Sequence, residues 1–94
     1  MIRLMLVDDH PLVRDGLKAM LAGVPDVTVV GEAGDANEAL AALAACAPTL
    51  VLMDIGMKTV NGIELTSMLL RRAPQLAVLM LSMYDSVEDR KSVV

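Results

Sequence analysis

The sequence of 94 residues is almost devoid of aromatic side chains, with no Phe, no Trp and a single Tyr. An aliphatic core of Ala, Leu, Val and Met is therefore expected, as forms where helices pack on a sheet. The single cysteine, Cys46, excludes an internal disulfide and a cysteine-based metal cluster. With 55% hydrophobic residues, the composition is typical of a folded domain in the reducing cytoplasm.

Two further classes of function lack their sequence signals. The chain has 12 acidic and 8 basic residues, so it carries no basic footprint for nucleic acid. Its longest apolar run covers residues 39–47, which is far short of the roughly 20 residues of a membrane-spanning helix. The pair Asp8-Asp9 interrupts the first apolar run, which no signal peptide would tolerate. We expect a cytoplasmic chain that itself binds neither nucleic acid nor a membrane.

Short apolar runs alternate along the chain with segments of helical periodicity. The apolar runs predict buried strands over residues 4–7, 27–30, 50–53 and 77–81. Helices are predicted to begin near Pro11, Asp35 and Asn61, with a fourth over 86–94. Continuous apolar strands imply burial on both faces of a parallel sheet. The sequence therefore predicts one α/β domain built on a doubly wound parallel sheet.

Carboxylates follow two strands of the predicted sheet. Asp8 and Asp9 come after the first strand and Asp54 comes after the third. Right-handed crossovers make these strands neighbours, so the three side chains should converge where such sheets bind ligands. Two charges about 4 Å apart repel by roughly 4 kcal/mol at an effective dielectric of about 20. A bound cation or a protonated carboxyl is then expected, and oxygen ligands in an open site suit Mg²⁺. For Asp8 or Asp9 taken alone, simple capping of the first helix remains an alternative.

Four segments of the sequence together resemble the receiver domain of two-component response regulators. They are residues 7–14 (VDDHPLVR), 52–55 (LMDI), 61–64 (NGIE) and 81–83 (LSM). The first segment is most similar to the LuxR/NarL-type subfamily, whose output is a helix-turn-helix. The resemblance covers essentially all 94 residues and implies the flavodoxin-like receiver fold over 1–94.

The resemblance also implies a role for each residue of the site. Asp54 would accept a phosphoryl group from a sensor histidine kinase and so switch a transcriptional output. Asp8, Asp9, Asp54 and the backbone carbonyl of Gly56 would hold Mg²⁺. Ser82 would be the switch hydroxyl that binds a phosphoryl oxygen. Such a domain is a signalling module and not an enzyme.

The sequence departs from the receiver pattern in two places. Lys58 stands where the family usually has Pro; we expect a solvated loop lysine, with a contact to the phosphate as the alternative. The sequence also stops before the family's fifth strand, its lysine and its fifth helix, which implies a receiver that is incomplete at its C-terminal side. The fourth strand would then be an open edge. We therefore predict a homo-oligomer formed through this edge or by exchange of an element.

Two other functions compete with phosphoryl acceptance. A phosphorylation-deficient pseudo-receiver would keep the fold as a dimerisation or interaction module. A flavin-binding domain of the same topology is disfavoured, because the carboxylate cluster would repel the FMN phosphate and no aromatic side chain is available to stack on the flavin.

Overall fold

The computed structural model of the protein describes residues 1–58 and 60–81. Within them the elements are β1 (Ile2–Val7), α1 (Pro11–Leu21), β2 (Val27–Ala33), α2 (Ala36–Cys46), β3 (Leu50–Asp54), α3 (Gly62–Arg72) and β4 (Ala77–Leu81). This order confirms the predicted alternation as far as the fourth strand. The predicted helix over 86–94 lies outside the described residues. Of the helices described, none is long and apolar enough to cross a membrane.

The four strands form one parallel sheet in the order β2-β1-β3-β4. The chain starts in the middle of the sheet, adds β2 on one side and then adds β3 and β4 on the other. The order therefore reverses between β1 and β3, and the predicted pairing of the first and third strands is confirmed. Val7, the last residue of β1, pairs with Met53 of β3. The residues that follow β1 therefore lie beside Asp54, at the carboxyl ends of the two strands.

The core lies between the sheet and the helices α2 and α3, and it is aliphatic as predicted. The strands contribute Met5, Val7, Val51 and Met53, and the helices contribute Ala39, Leu43, Leu65 and Leu69. Alternate strand residues reach the same face of the sheet, so each strand supplies every second side chain to this core. Full burial of one Leu, Val or Met side chain stabilises the fold by about 1.5–3 kcal/mol.

The start of α2 follows the capping pattern predicted from Asp35 and Glu38. Asp35 is the residue before the helix, and its Oδ1 accepts the N–H of Glu38 at 2.8 Å. Glu38 Oε1 in turn accepts the N–H of Gly34 at 2.7 Å. The two bonds satisfy backbone donors that have no partner within the helix, and they fix the path of the chain from β2 into α2.

The outer surface of α1 differs from the prediction. Leu12, Val13, Leu17, Met20 and Leu21 recur at helical spacing, which predicts one apolar side of this helix, yet Leu12 is 85% exposed and Met20 is also exposed. The helix contains no buried residue. Its side chains Arg14 and Lys18 instead form ion pairs with Glu32 of β2. Polar contacts to the neighbouring strand thus contribute to the attachment of α1, beside its half-buried residues Val13, Leu17 and Leu21.

Two strands also differ from the prediction. β2 continues to Ala33, which pairs with Val7, so Glu32 lies within the strand and not beyond it. β4 was expected to be buried on both faces, but Leu79 and Met80 are exposed. The reason is that β4 lies at an edge of the four strands described. Self-association through this edge stays a prediction.

Candidate functional site

Three carboxylates meet beyond the carboxyl ends of β1 and β3. One ligand atom each of Asp8, Asp9, Asp54 and His10 lies within 4.8 Å of the others. Asp8 and Asp54 are only 2% and 3% exposed, and burial of this kind strengthens the mutual repulsion of carboxylates. The structure thus brings together the three acidic residues that the sequence analysis selected.

His10 contributes a ring nitrogen to the same cluster. It is the residue before α1. Its Nδ1 lies 3.0 Å from Asp8 Oδ1 and 2.8 Å from Asp9 Oδ1. Its backbone N–H also donates to Asp8 Oδ1 at 2.8 Å. The sequence motif that contains His10 did not predict these contacts.

Two carboxylate oxygens of the cluster are buried without a hydrogen bond. They are Asp8 Oδ2 and Asp9 Oδ1, the latter lying near His10 without hydrogen-bond geometry. A buried acceptor that lacks a hydrogen bond costs about 1–3 kcal/mol, and a charged one costs more. These two oxygens and the three carboxylates fit a hard divalent cation such as Mg²⁺, which prefers oxygen ligands.

The loop after β3 closes the cluster through backbone groups. The N–H of Gly56 donates to Asp54 Oδ1 at 2.8 Å, and the N–H of Lys58 donates to Asp9 Oδ2 at 3.0 Å. Lys58 therefore reaches the site through its backbone. The carbonyl of Gly56 as a metal ligand stays a prediction, and Ser82 lies outside the described residues.

The start of α3 packs directly on the backbone of Asp54. Gly62 is the first residue of α3 and is buried. A Cβ at this position would lie 3.0 Å from the carbonyl oxygen of Asp54 and 3.2 Å from Cα of Ile55. Asn61 caps the helix, because its Oδ1 accepts two backbone N–H groups of the first turn. Asn61-Gly62 belongs to one of the four sequence motifs, but the motif does not predict this close approach.

A polar network behind the cluster was also missed. Arg14 Nη1 donates to the backbone carbonyl of Asp8, and its Nε donates to Glu32 Oε1 at 2.8 Å. Lys18 Nζ donates to Glu32 Oε2 at 2.6 Å. This hydrogen bond lowers the pKa of Glu32 and raises the pKa of Lys18. The i,i+4 spacing of the two basic residues on α1 was the available signal.

Fold and site together define a flavodoxin-like α/β domain with an acidic cluster where its strand order reverses. The chain belongs to the response regulator receiver domain family, whose model matches residues 4–94. The resemblance predicted from the four sequence segments is thereby confirmed, as is the predicted fold class.

The relatives of the chain are transcriptional regulators and response regulators. The chain is 45% identical over 93 residues to the transcriptional regulatory protein MctR of Rhizobium johnstonii, a match that covers 99% of this chain and 44% of MctR. A LuxR-family two-component response regulator from Aurantimonas sp. SI85-9A1 has a TM-score of 0.81 at 33% identity, over 97% of this chain and 65% of that one.

A second solved structure is the isolated REC domain of RcsB from Salmonella enterica serovar Typhimurium, in the presence of the phosphomimetic BeF3⁻. It has a TM-score of 0.78 at 27% identity and covers 98% of this chain and 69% of that chain. This chain spans 44% of the length of the curated relative MctR, which is therefore more than twice as long as the matched region.

Proposed function

We propose that residues 1–94 act as a phosphoacceptor receiver domain, in which Asp54 takes a phosphoryl group from a sensor histidine kinase. The observation that carries this proposal is the meeting of Asp8, Asp9 and Asp54 within 4.8 Å, with two of their oxygens buried and unsatisfied. A cluster of this kind is costly to the fold unless a cation neutralises it. We take the site to be built for a cation that also neutralises an incoming phosphoryl group.

In the proposed reaction, a carboxylate oxygen of Asp54 forms a bond to phosphorus while the bond from phosphorus to the kinase's histidine nitrogen breaks. The electron pair of that bond returns to the imidazole, and Asp54 becomes an acyl phosphate. A carboxylate is a weak nucleophile, so its positioning and the neutralisation of charge dominate catalysis. The N–H of Gly56 and the contact with Gly62 hold Asp54 in place.

Asp8, Asp9 and Asp54 would hold Mg²⁺, together with the carbonyl of Gly56. The bound ion would neutralise charge on the transferring phosphoryl oxygens. Ser82 would hydrogen-bond to one of those oxygens once Asp54 is modified. These roles follow the family resemblance, and the donor chemistry of the described residues agrees with them.

The comparisons support the direction of this proposal. Receiver domains of response regulators are phosphorylated by sensor histidine kinases, and the relative RcsB was studied with a phosphomimetic. The relative MctR is a transcriptional regulatory protein. We therefore propose that phosphorylation of this chain switches a transcriptional output in the cytoplasm, and that the chain makes no direct contact with nucleic acid.

Incubation with acetyl phosphate and Mg²⁺, followed by intact mass measurement, tests the proposal. We expect the unmodified chain to gain the mass of one phosphoryl group and Asp54→Asn to gain none. Asp26→Asn is the matched control, because it removes an exposed carboxylate with the same change of charge. Chelation of Mg²⁺ should prevent the gain.

Equal labelling of Asp54→Asn and the unmodified chain would place the modification elsewhere and contradict the proposal. A complete absence of labelling would favour the alternative of a pseudo-receiver that acts as an interaction module.

A further inference from the structure

Arg14 links the acidic cluster to Glu32, near the carboxyl end of β2. Its guanidinium donates from Nη1 to the backbone carbonyl of Asp8 and from Nε to Glu32 Oε1 at 2.8 Å. The Arg14 side chain is only 18% exposed, whereas that of Glu32 is 36% exposed. Contacts of a largely covered guanidinium are screened less by water than those of a surface charge. The two bonds therefore hold the guanidinium in one orientation.

The contact with Asp8 is made at a critical peptide group. The Asp8 carbonyl belongs to the peptide that joins Asp8 to Asp9, so its direction sets how the two side chains leave the backbone. On the other side, the N–H of Asp8 donates to the carbonyl of Ala33 at 3.0 Å. Arg14 and Ala33 thus hold two consecutive peptide groups at the end of β1. These peptide groups carry Asp8 and Asp9, whose carboxylates repel each other.

Gly34 leaves room for the guanidinium of Arg14, and Lys18 orients the carboxylate of Glu32 that accepts from it. Gly34 lies beside the guanidinium, and a Cβ there would come within 3.0 Å of Arg14 Nη1. On the opposite side Lys18 Nζ donates to Glu32 Oε2 at 2.6 Å, which fixes the carboxylate that receives Arg14. A chain of polar contacts therefore runs from Lys18 through Glu32 and Arg14 to the backbone of Asp8.

We propose that Arg14 is a positioning residue for the acidic site: it fixes the Asp8–Asp9 peptide so that both carboxylates face one cation, and Glu32 keeps Arg14 in place. This inference rests on the proposed function, since it assumes that the cluster binds Mg²⁺. Arginine suits this role because its planar fork reaches two acceptors at once, which a lysine ammonium on a flexible stem does not reproduce.

The test is the affinity of the 94-residue chain for Mg²⁺, measured by calorimetry on Arg14→Gln, Arg14→Lys and the unmodified chain. Loss of a group that orients metal ligands weakens binding by about 10–100-fold. We expect a loss in that range for Arg14→Gln and a comparable loss for Arg14→Lys. Arg71→Gln is the matched control for charge, because Arg71 is exposed in the last turn of α3, and its affinity should equal that of the unmodified chain.

Glu32→Gln gives a second and milder test that leaves Arg14 in place, should Arg14→Gln fail to fold by circular dichroism. We expect a smaller loss of Mg²⁺ affinity for Glu32→Gln, and no additional loss when it is combined with Arg14→Lys. Additive losses in the double variant would overturn the claim that Glu32 acts through Arg14.

The remaining outcomes separate this inference from the proposed function. Full affinity in Arg14→Lys would show that only the charge matters, and it would overturn the positioning role. Unchanged affinity in Arg14→Gln would overturn it as well. An unmodified chain that binds no Mg²⁺ would overturn the metal site itself, and with it both proposals.

Discussion

Replacement of Gly62 by Ala should destabilise the protein, although alanine is the better helix former. Gly62 is the first residue of α3, and an added Cβ would meet the Asp54 carbonyl oxygen at 3.0 Å and Ile55 Cα at 3.2 Å. Both atoms belong to the backbone at the end of β3, so neither can swing aside as the tip of a side chain can. Relief of the clash requires α3 and β3 to move apart.

The magnitude follows from two opposing effects. Alanine is favoured over glycine by about 0.5–1 kcal/mol in a helix interior, and by less in a first turn, where the intrahelical bonds are incomplete. Overpacking of a tight contact costs about 1–3 kcal/mol. We therefore expect Gly62→Ala to lose about 1–2 kcal/mol of unfolding free energy. A loss of that size lowers Tm by about 4–8 °C for each kcal/mol in a domain of this length.

Gly16→Ala provides the matched control. Gly16 lies in the interior of α1, and a Cβ there would meet nothing within 4 Å. Only the helix propensity then applies, and this variant should gain about 0.5–1 kcal/mol. Urea unfolding followed by circular dichroism measures both variants under one set of conditions.

The two results must have opposite signs for the reasoning to hold. A Gly62→Ala variant as stable as the unmodified chain would refute the close approach of α3 to Asp54. A Gly16→Ala variant whose free energy of unfolding does not increase would refute the helix-propensity value used for Gly62→Ala.

Three further outcomes follow from single contacts. The pKa of Glu32 is lowered from 4.5 mainly by its hydrogen bond with Lys18, so the stability that the Glu32 carboxylate adds is present above pH 4.5 and is lost as the pH falls below it. The urea midpoint of Glu32→Gln should therefore be lower than that of the unmodified chain at neutral pH only. A difference between the two midpoints that persists in acid would contradict this. Asn61→Ala removes the cap of α3 and should cost about 1 kcal/mol in urea unfolding, whereas an unchanged midpoint would show that the cap is dispensable. Lys58→Ala keeps the backbone bond to Asp9, so the acyl-phosphate lifetime should not change; a changed lifetime would favour the phosphate contact.

Sequence reasoning predicted the features that depend on local patterns. Apolar runs mark the strands because the sheet lies largely in the interior, most completely at β1 and β3. The Asp35–Glu38 spacing marks the start of α2 because both groups act within one turn. The meeting of Asp8, Asp9 and Asp54 was predictable as well, since parallel strands end at a common edge.

What the sequence did not reveal depends on placement in three dimensions. The contact of Gly62 with Asp54 requires the angle at which α3 leaves its loop, which the motif alone does not specify. The ion pairs of Glu32 were missed because β2 extends three residues beyond the apolar residues that marked it, and Glu32 lies in that extension. The exposure of Leu12 was missed because helical periodicity presumes an apolar contact on one side of the helix.

The two sides of the sheet are held by forces that respond differently to the solvent. The helices α2 and α3 bury Leu and Ala side chains, and that attachment is strengthened by salting-out ions. α1 has no buried residue and is attached in part by the ion pairs of Glu32, which added electrolyte screens. We therefore expect added salt to weaken the attachment of α1, the helix that begins beside Asp9 and His10, more than the attachment of α2 and α3.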